Sequence, residues 1–117
     1  MQLTVLIVDD HEGFRQVVRA LLEADGVKVV GEAADGESAI AEAARLRPQL
    51  VLLDVQLPDI DGFEVAARIG ETIDPPTVVL TSSHAASSYR QRLAHSAARA
   101  FIPKDELSGD TLAALLD

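Results

Sequence analysis

The chain has 117 residues, of which 48% are hydrophobic and 25% charged, with a formal net charge of −9 and no cysteine. A chain of this size buries roughly two thirds of its unfolded surface and needs no staple, and the lack of cysteine excludes disulfides, thiolate metal sites and cysteine nucleophiles. The acidity opposes direct binding of a nucleic-acid backbone; no apolar run reaches the length of a membrane span and no secretion signal opens the chain, so a cytoplasmic protein is expected.

The first predicted element is "LTVLIV" (3–8), a continuous apolar run that reads as a strand covered on both faces. It runs straight into Asp9 and Asp10. Two adjacent carboxylates repel, and they need a cation, a hydrogen-bond network or water to be tolerated. Phe14, Val17, Val18, Leu21 and Leu22 then fall on one stripe of a helix. A second strand is predicted at "VKVVG" (27–31), and after the turn "ADGES" the helical spacing returns at Ile40, Ala43 and Ala44. The third strand, "LVLLD" (50–54), ends in Asp54. Asp61 with Glu64 three residues later has the form of a capping box opening a helix through Ile69. The fourth strand, "TVVLT" (77–81), leads into Ser82 and Ser83. Residues 85–96 are rich in Ala and Ser and predict a weaker helix with Tyr89 and Leu93 on one side. The fifth strand, "ARAFI" (98–102), runs on to Lys104, and Ser108 caps a last helix carrying Leu112, Leu115 and Leu116.

Strands alternating with helices at this spacing imply an α/β fold: a parallel sheet with helices on both faces and right-handed crossovers. In such sheets ligands gather outside the carboxyl ends of the strands. Asp9, Asp10, Asp54, Ser82 and Lys104 all fall at that rim. A single strand-end Asp is most often a cap or turn former; the coincidence of several on one edge carries the weight. Carboxylate oxygens suit Mg²⁺, which binds through one or two carboxylates, waters and a phosphate group. His11, His84 and His95 lack zinc-site spacing, and neither "DGES" nor "PDIDG" is a nucleotide-cradling glycine loop.

With "VDD" at 8–10, "LLDVQLPDIDG" at 52–62, "VVLTSS" at 78–83 and "AFIPKDEL" at 100–107, the chain resembles the receiver domain of two-component response regulators over its whole length. "VDDHEGFR" and "VVGEAADGESAI" place it near receivers of the nitrate-regulator type. The resemblance implies one domain over residues 1–117 and a flavodoxin-like (βα)5 fold with strand order 2-1-3-4-5. It implies Asp54 as phosphoacceptor, with Mg²⁺ held by Asp9, Asp10, Asp54 and the backbone carbonyl of Gln56. It also implies that Ser82 and Lys104 contact the phosphoryl group, and that Ser82 and Phe101 act as a switch. The donor would be a phosphohistidine on a sensor histidine kinase. The switched surface would be the face of the fourth helix, fifth strand and fifth helix, and a homodimer would form through that face or through the first and fifth helices. No nucleic acid or membrane is expected to bind this domain, and transcription would be controlled through an output domain outside it.

The chain departs from the family's pattern in places. Pro103 precedes Lys104, whereas many members have Lys-Pro with a cis bond. Gln56 and His84 occupy positions that flank the phosphoryl group in relatives and are expected to tune its lifetime. Arg90, Arg92 and Arg99 are the nearest approach to a basic cluster, read as a solvated or subunit-contacting face. Three other readings compete: a stand-alone receiver acting by protein contacts, a small Mg²⁺-dependent phosphohydrolase, and a receiver-like domain that is never phosphorylated. The second needs an acid/base carboxylate two residues after the nucleophile, where this chain has Gln56.

Overall fold

The computed structural model describes residues 2–84 and 86–116. Five strands, β1 (Thr4–Val8), β2 (Lys28–Ala33), β3 (Leu50–Asp54), β4 (Thr77–Ser82) and β5 (Ala100–Pro103), form one sheet in the order β2-β1-β3-β4-β5. Every pairing is parallel. The order reverses between β1 and β3, the place where α/β sheets open a crevice. The helices are α1 (Glu12–Ala24), α2 (Gly36–Leu46), α3 (Gly62–Gly70), α4 (Arg90–Ala94) and α5 (Gly109–Ala114), with 3₁₀ turns at Ala86–Tyr89 and Lys104–Glu106. Among the described residues, no helix is long and apolar enough to cross a membrane, and no peptide bond is cis.

Because strand side chains alternate between faces, the sheet divides the core in two. Leu6, Val8, Val51, Leu53, Val78 and Leu80 pack under α2, α3 and α4, with Phe63, Val65 and Ile69. Val5, Ile7, Leu50, Leu52 and Val79 pack under α1 and α5, with Val18, Leu22 and Leu112. This parity decides which helix each strand-end residue will meet.

The strands and helices fall where the apolar pattern puts them, with shifted ends at β2 and β5. The fourth helix differs most. In place of a helix over 85–96, a 3₁₀ turn leads into five α-helical residues, and α4 buries none of them; residue 85 lies outside the described residues. Short helices draw most of their stability from a packed face. This one offers only Tyr89 and Leu93 to the core, and serines favour turns over helix interiors. The stripe on α1 is also wider than the surface it covers: Val18 and Leu22 are buried, but Val17 is 68% and Leu21 43% exposed. At α3 only the forward half of the capping box forms, Glu64 N–H donating to Asp61 Oδ1 at 3.0 Å; the Glu64 carboxylate turns to Arg68 at 3.6 Å. Ser108 caps α5 as expected and makes a full capping box with Thr111. Leu112 is buried, whereas Leu116 is 38% exposed.

Two glycines let elements close tightly on one another. A Cβ on Gly62 would lie 2.4 Å from the Asp54 carbonyl oxygen and 2.8 Å from Val55 Cα. Gly62 N–H also donates to Val55 O at 2.7 Å, so the start of α3 clamps the end of β3. A Cβ on Gly109 would lie 2.5 Å from Asp25 Cβ, and Gly109 N–H donates to Asp25 Oδ2 at 2.8 Å. That contact fastens α5 to the end of α1.

Candidate functional site

Parallel register builds the site. Val8 pairs with Leu53, Asp54 with Thr81 and Ser82 with Pro103. The residues just beyond β1, β3 and β5 therefore meet on one rim. Parity sends Asp9 and Asp54 toward the α1 side, where the strands bury Ile7 and Leu52. Lys104 reaches in from the end of β5, its Nζ 2.7 Å from Asp9 Oδ2 and 3.3 Å from Asp54 Oδ2. The same ammonium sits 4.2 Å over the Phe14 ring of α1. Asp9 is fully buried and Asp54 is 5% exposed. Asp10 and His11 are exposed, with His11 Nδ1 3.2 Å from Asp10 Oδ1 and 3.5 Å from Asp9 Oδ1.

A cavity of about 190 Å³ opens over these groups, lined by Asp10, His11, Asp54, Gln56, Leu57, Pro58, Ser83 and Lys104. At its floor, burial and repulsion from Asp9 push the Asp54 carboxyl up to about 6, against Gln56 N–H and Lys104, which hold it down. Burial opposes charge on Lys104, but the carboxylates of Asp9 and Asp54 outweigh it and raise the ammonium above its usual range. Asp9 Oδ2 is buried, and its close partner is the Lys104 ammonium at 2.7 Å. The carboxylates of Asp9 and Asp10, with ligand atoms within 4.8 Å of each other and of a His11 ring nitrogen, are hard oxygen donors of the kind that Mg²⁺ accepts.

The expected residues do not all meet. Asp9, Asp54 and Lys104 are in contact. Asp10 turns to His11 and the cavity mouth. Gln56 is exposed, and its contact is backbone N–H to Asp54 Oδ1 at 3.2 Å. Ser82 is buried but does not line the cavity. Parity puts it on the α4 side with Leu80, where its Oγ accepts from His84 N–H at 3.0 Å and lies 3.3 Å from the Tyr89 hydroxyl. Phe101, paired with Leu80, is half-buried on that side, its ring 6.0 Å from that of Tyr89. Of the arginine cluster, Arg92 is not merely solvated: it binds Asp61 at 2.5 Å and lies 4.2 Å over the Phe63 ring.

Supporting contacts carry little signature in the sequence. Arg15 of α1 donates to the Asp9 carbonyl at 2.6 Å and to Glu32 at 2.8 Å, and Arg19 holds the other Glu32 oxygen at 2.7 Å. Burial works against charge on Glu32, but the two guanidiniums outweigh it and hold its carboxyl below the usual range. Asp59 accepts from Gly36 N–H at 2.7 Å and Glu37 N–H at 2.9 Å. It thereby ties the loop after β3 to the start of α2, and the two amides draw its carboxyl down to about 2. A helix start binds a carboxylate through its free N–H groups; here that carboxylate comes from another element, so no local spacing announces it.

The description of the response regulator receiver domain fits residues 5–116 of this chain. Over 111 residues the chain is 40% identical to a Pseudomonas aeruginosa protein named as a transcriptional regulator, covering 94% of this chain and 53% of that one. It is 37% identical over 102 residues to BvgA of Bordetella pertussis, named as a positive transcription regulator of virulence factors, covering 87% of this chain and 49% of BvgA. The chain thus spans about half the length of these relatives. Among solved structures, the signal receiver domain of the Mycobacterium tuberculosis response regulator named NarL superposes with a TM-score of 0.84 at 35% identity, covering 99% of this chain and 94% of that one. A chain of the CheX-CheY-BeF3-Mg²⁺ complex from Borrelia burgdorferi superposes with a TM-score of 0.81 at 25% identity, over 97% of this chain and 86% of the other. With the fold, the rim and these likenesses in agreement, the chain belongs to the response regulator receiver domain family, the phosphoacceptor signalling modules of two-component systems.

Proposed function

We propose that Asp54 is the phosphoacceptor of this module and that a sensor histidine kinase supplies the phosphoryl group from a phosphohistidine. The observation that carries this reading is the nearly buried Asp54 carboxylate at the floor of the cavity, with the Lys104 ammonium 3.3 Å from it. An oxygen of Asp54 attacks phosphorus, the P–N bond of the donor breaks, and the imidazole leaves with that electron pair. The product is an acyl phosphate on Asp54. Lys104 moves its pairing from the two carboxylates to the phosphoryl oxygens, and the Ser82 hydroxyl donates to one of them. Asp9, Asp10, Asp54 and the Gln56 carbonyl would hold Mg²⁺, which when bound neutralises charge on the transferring oxygens. The clustering of Asp9 and Asp10 ligand atoms within 4.8 Å supports that assignment.

Incubation with a small phosphodonor, with and without Mg²⁺, tests the reading. One phosphoryl group per chain, dependent on Mg²⁺ and mapped to Asp54 by peptide mass, is the expected result. An adduct elsewhere, or none, overturns it, and sustained release of phosphate over many turnovers would favour the phosphohydrolase. Gln56, exposed in the cavity lining, and exposed His84, next in sequence to the lining residue Ser83, fit a role in the adduct's lifetime.

The domain is read as one unit over residues 1–117 in the cytoplasm. Relatives about twice its length are named as transcription regulators, which supports a role in transcription within a longer protein. Of the two dimer faces, the exposed Val17 and Leu21 on α1 favour that of α1 and α5. Sedimentation equilibrium is expected to show Val17→Asp shifting a concentration-dependent dimer to monomer; an unchanged mass average excludes this face.

A further inference from the structure

The aromatic expected to follow Ser82 is Phe101, which has no hydroxyl. The polar contact to Ser82 comes from another residue, Tyr89, at the entry to α4. Its ring lies between Phe63, centroids 5.9 Å apart, and Phe101 at 6.0 Å. The hydroxyl is thereby held 3.3 Å from Ser82 Oγ. His84 N–H already donates to that oxygen at 3.0 Å. A serine hydroxyl has one proton and two lone pairs, so these two contacts fix it on the α4 side of β4, outside the lining of the cavity over Asp54.

We propose that Tyr89 is a positioning residue: its hydroxyl latches Ser82 on the α4 side, opposes loading of Asp54, and couples that loading to release of α4. The inference rests on the reading of Asp54 as phosphoacceptor and Ser82 as a donor to the phosphoryl group. To reach a phosphoryl oxygen, Ser82 must leave Tyr89. Once it does, Tyr89 loses its polar anchor, and α4, which buries no residue of its own, keeps the ring contacts, Leu93 against the core, and Arg92 on Asp61 and Phe63. One polar anchor of α4 therefore ends on Ser82, the residue that the phosphoryl group claims. A surface held this loosely is the natural readout of a local charge event.

Tyr89→Phe removes the hydroxyl and keeps the ring. Loading is read by calorimetric titration with beryllofluoride at saturating Mg²⁺. The variant is expected to bind about 2- to 10-fold more tightly, the range one neutral hydrogen bond is worth. A ring that served packing alone would give equal or weaker binding, and that result overturns the proposal. The latch is also read without any ligand, from amide hydrogen exchange over residues 87–94. Tyr89→Phe and Ser82→Ala should each speed exchange there, and the double variant should add nothing further, because both cut one contact. Additive effects overturn the latch. Should the wild type take up no beryllofluoride, the phosphoacceptor reading fails, and the exchange cycle alone decides whether Tyr89 restrains Ser82.

Discussion

Asp54→Asn is expected to end acyl phosphate formation and, in Mg²⁺-free buffer at pH 7.5, to raise the melting temperature by about 5–10 °C. The two effects share a cause. Burial and the nearby Asp9 push the Asp54 carboxyl up to about 6 in the folded protein, whereas an unfolded chain leaves it near the ordinary value of about 3.9. A group whose folded pKa is raised contributes stability that is complete below the unfolded value and lost as pH climbs through the folded one. Above pH 6 the wild type therefore carries the full cost of an ionised, nearly buried carboxylate beside another, on the order of 2–3 kcal/mol. Asparagine keeps the shape and removes the charge. The advantage should have largely gone by about pH 4, where the folded wild-type carboxyl is protonated and the unfolded one about half so. Saturating Mg²⁺ should narrow the gap, since a ligand of the native state stabilises by mass action. Thermal melts of both proteins across pH 4–8 check this; a variant no more stable at pH 7.5 would mean that Lys104 already compensates both carboxylates.

Lys104→Met has the opposite sign and the larger size. It is expected to destabilise the protein by about 3–5 kcal/mol at pH 8, the usual cost of removing one partner from a buried ion pair. Asp9 is fully buried, Asp54 nearly so, and the Lys104 ammonium is the cation both of them face. Methionine fills the stem's space against Phe14 but leaves two acidic groups to repel. Their escape is to bind protons, which lifts their folded pKa values further. Stability of the variant should then fall with rising pH between about 5 and 8, a steeper slope than the wild type shows. Urea unfolding at pH 5 and pH 8 reads the difference. Equal losses at the two pH values would show that Lys104 acts through packing rather than charge. On the proposed function phosphorylation should also fall, because the ammonium assigned to the phosphoryl oxygens is gone.

Arg15 and Asp59 show why some of the site stayed out of reach of the sequence. Asp9, Asp54 and Lys104 could be placed together from strand ends alone, because in a parallel sheet every strand ends on the same rim and the register fixes neighbours. Arg15 on the Asp9 carbonyl and Asp59 on the start of α2 obey no such rule. Each joins segments whose separation in sequence carries no periodic signal. Ser82 is a sharper case. Its position at the end of β4 was legible, but its partner was not, since Tyr89 lies on a stretch whose helical pattern is weak and which folds as a 3₁₀ turn followed by a single short helix. The α1 stripe failed for a related reason: periodicity finds an apolar face but not how much of it the sheet can cover, and Val17 and Leu21 stay outside.

By itself the sequence determined the α/β alternation, the five strands and the acidic rim, because burial on both faces writes continuous apolar runs and covered helices write a stripe. Tertiary structure alone decided which strand-end groups touch: Asp9 and Asp54 share Lys104, Asp10 turns outward to His11, and Ser82 faces α4 and Tyr89. The physical reason is that hydrophobic patterning is local and repeats along the chain, whereas charge pairing and hydrogen bonding act over a few ångströms between residues that only the folded register brings together.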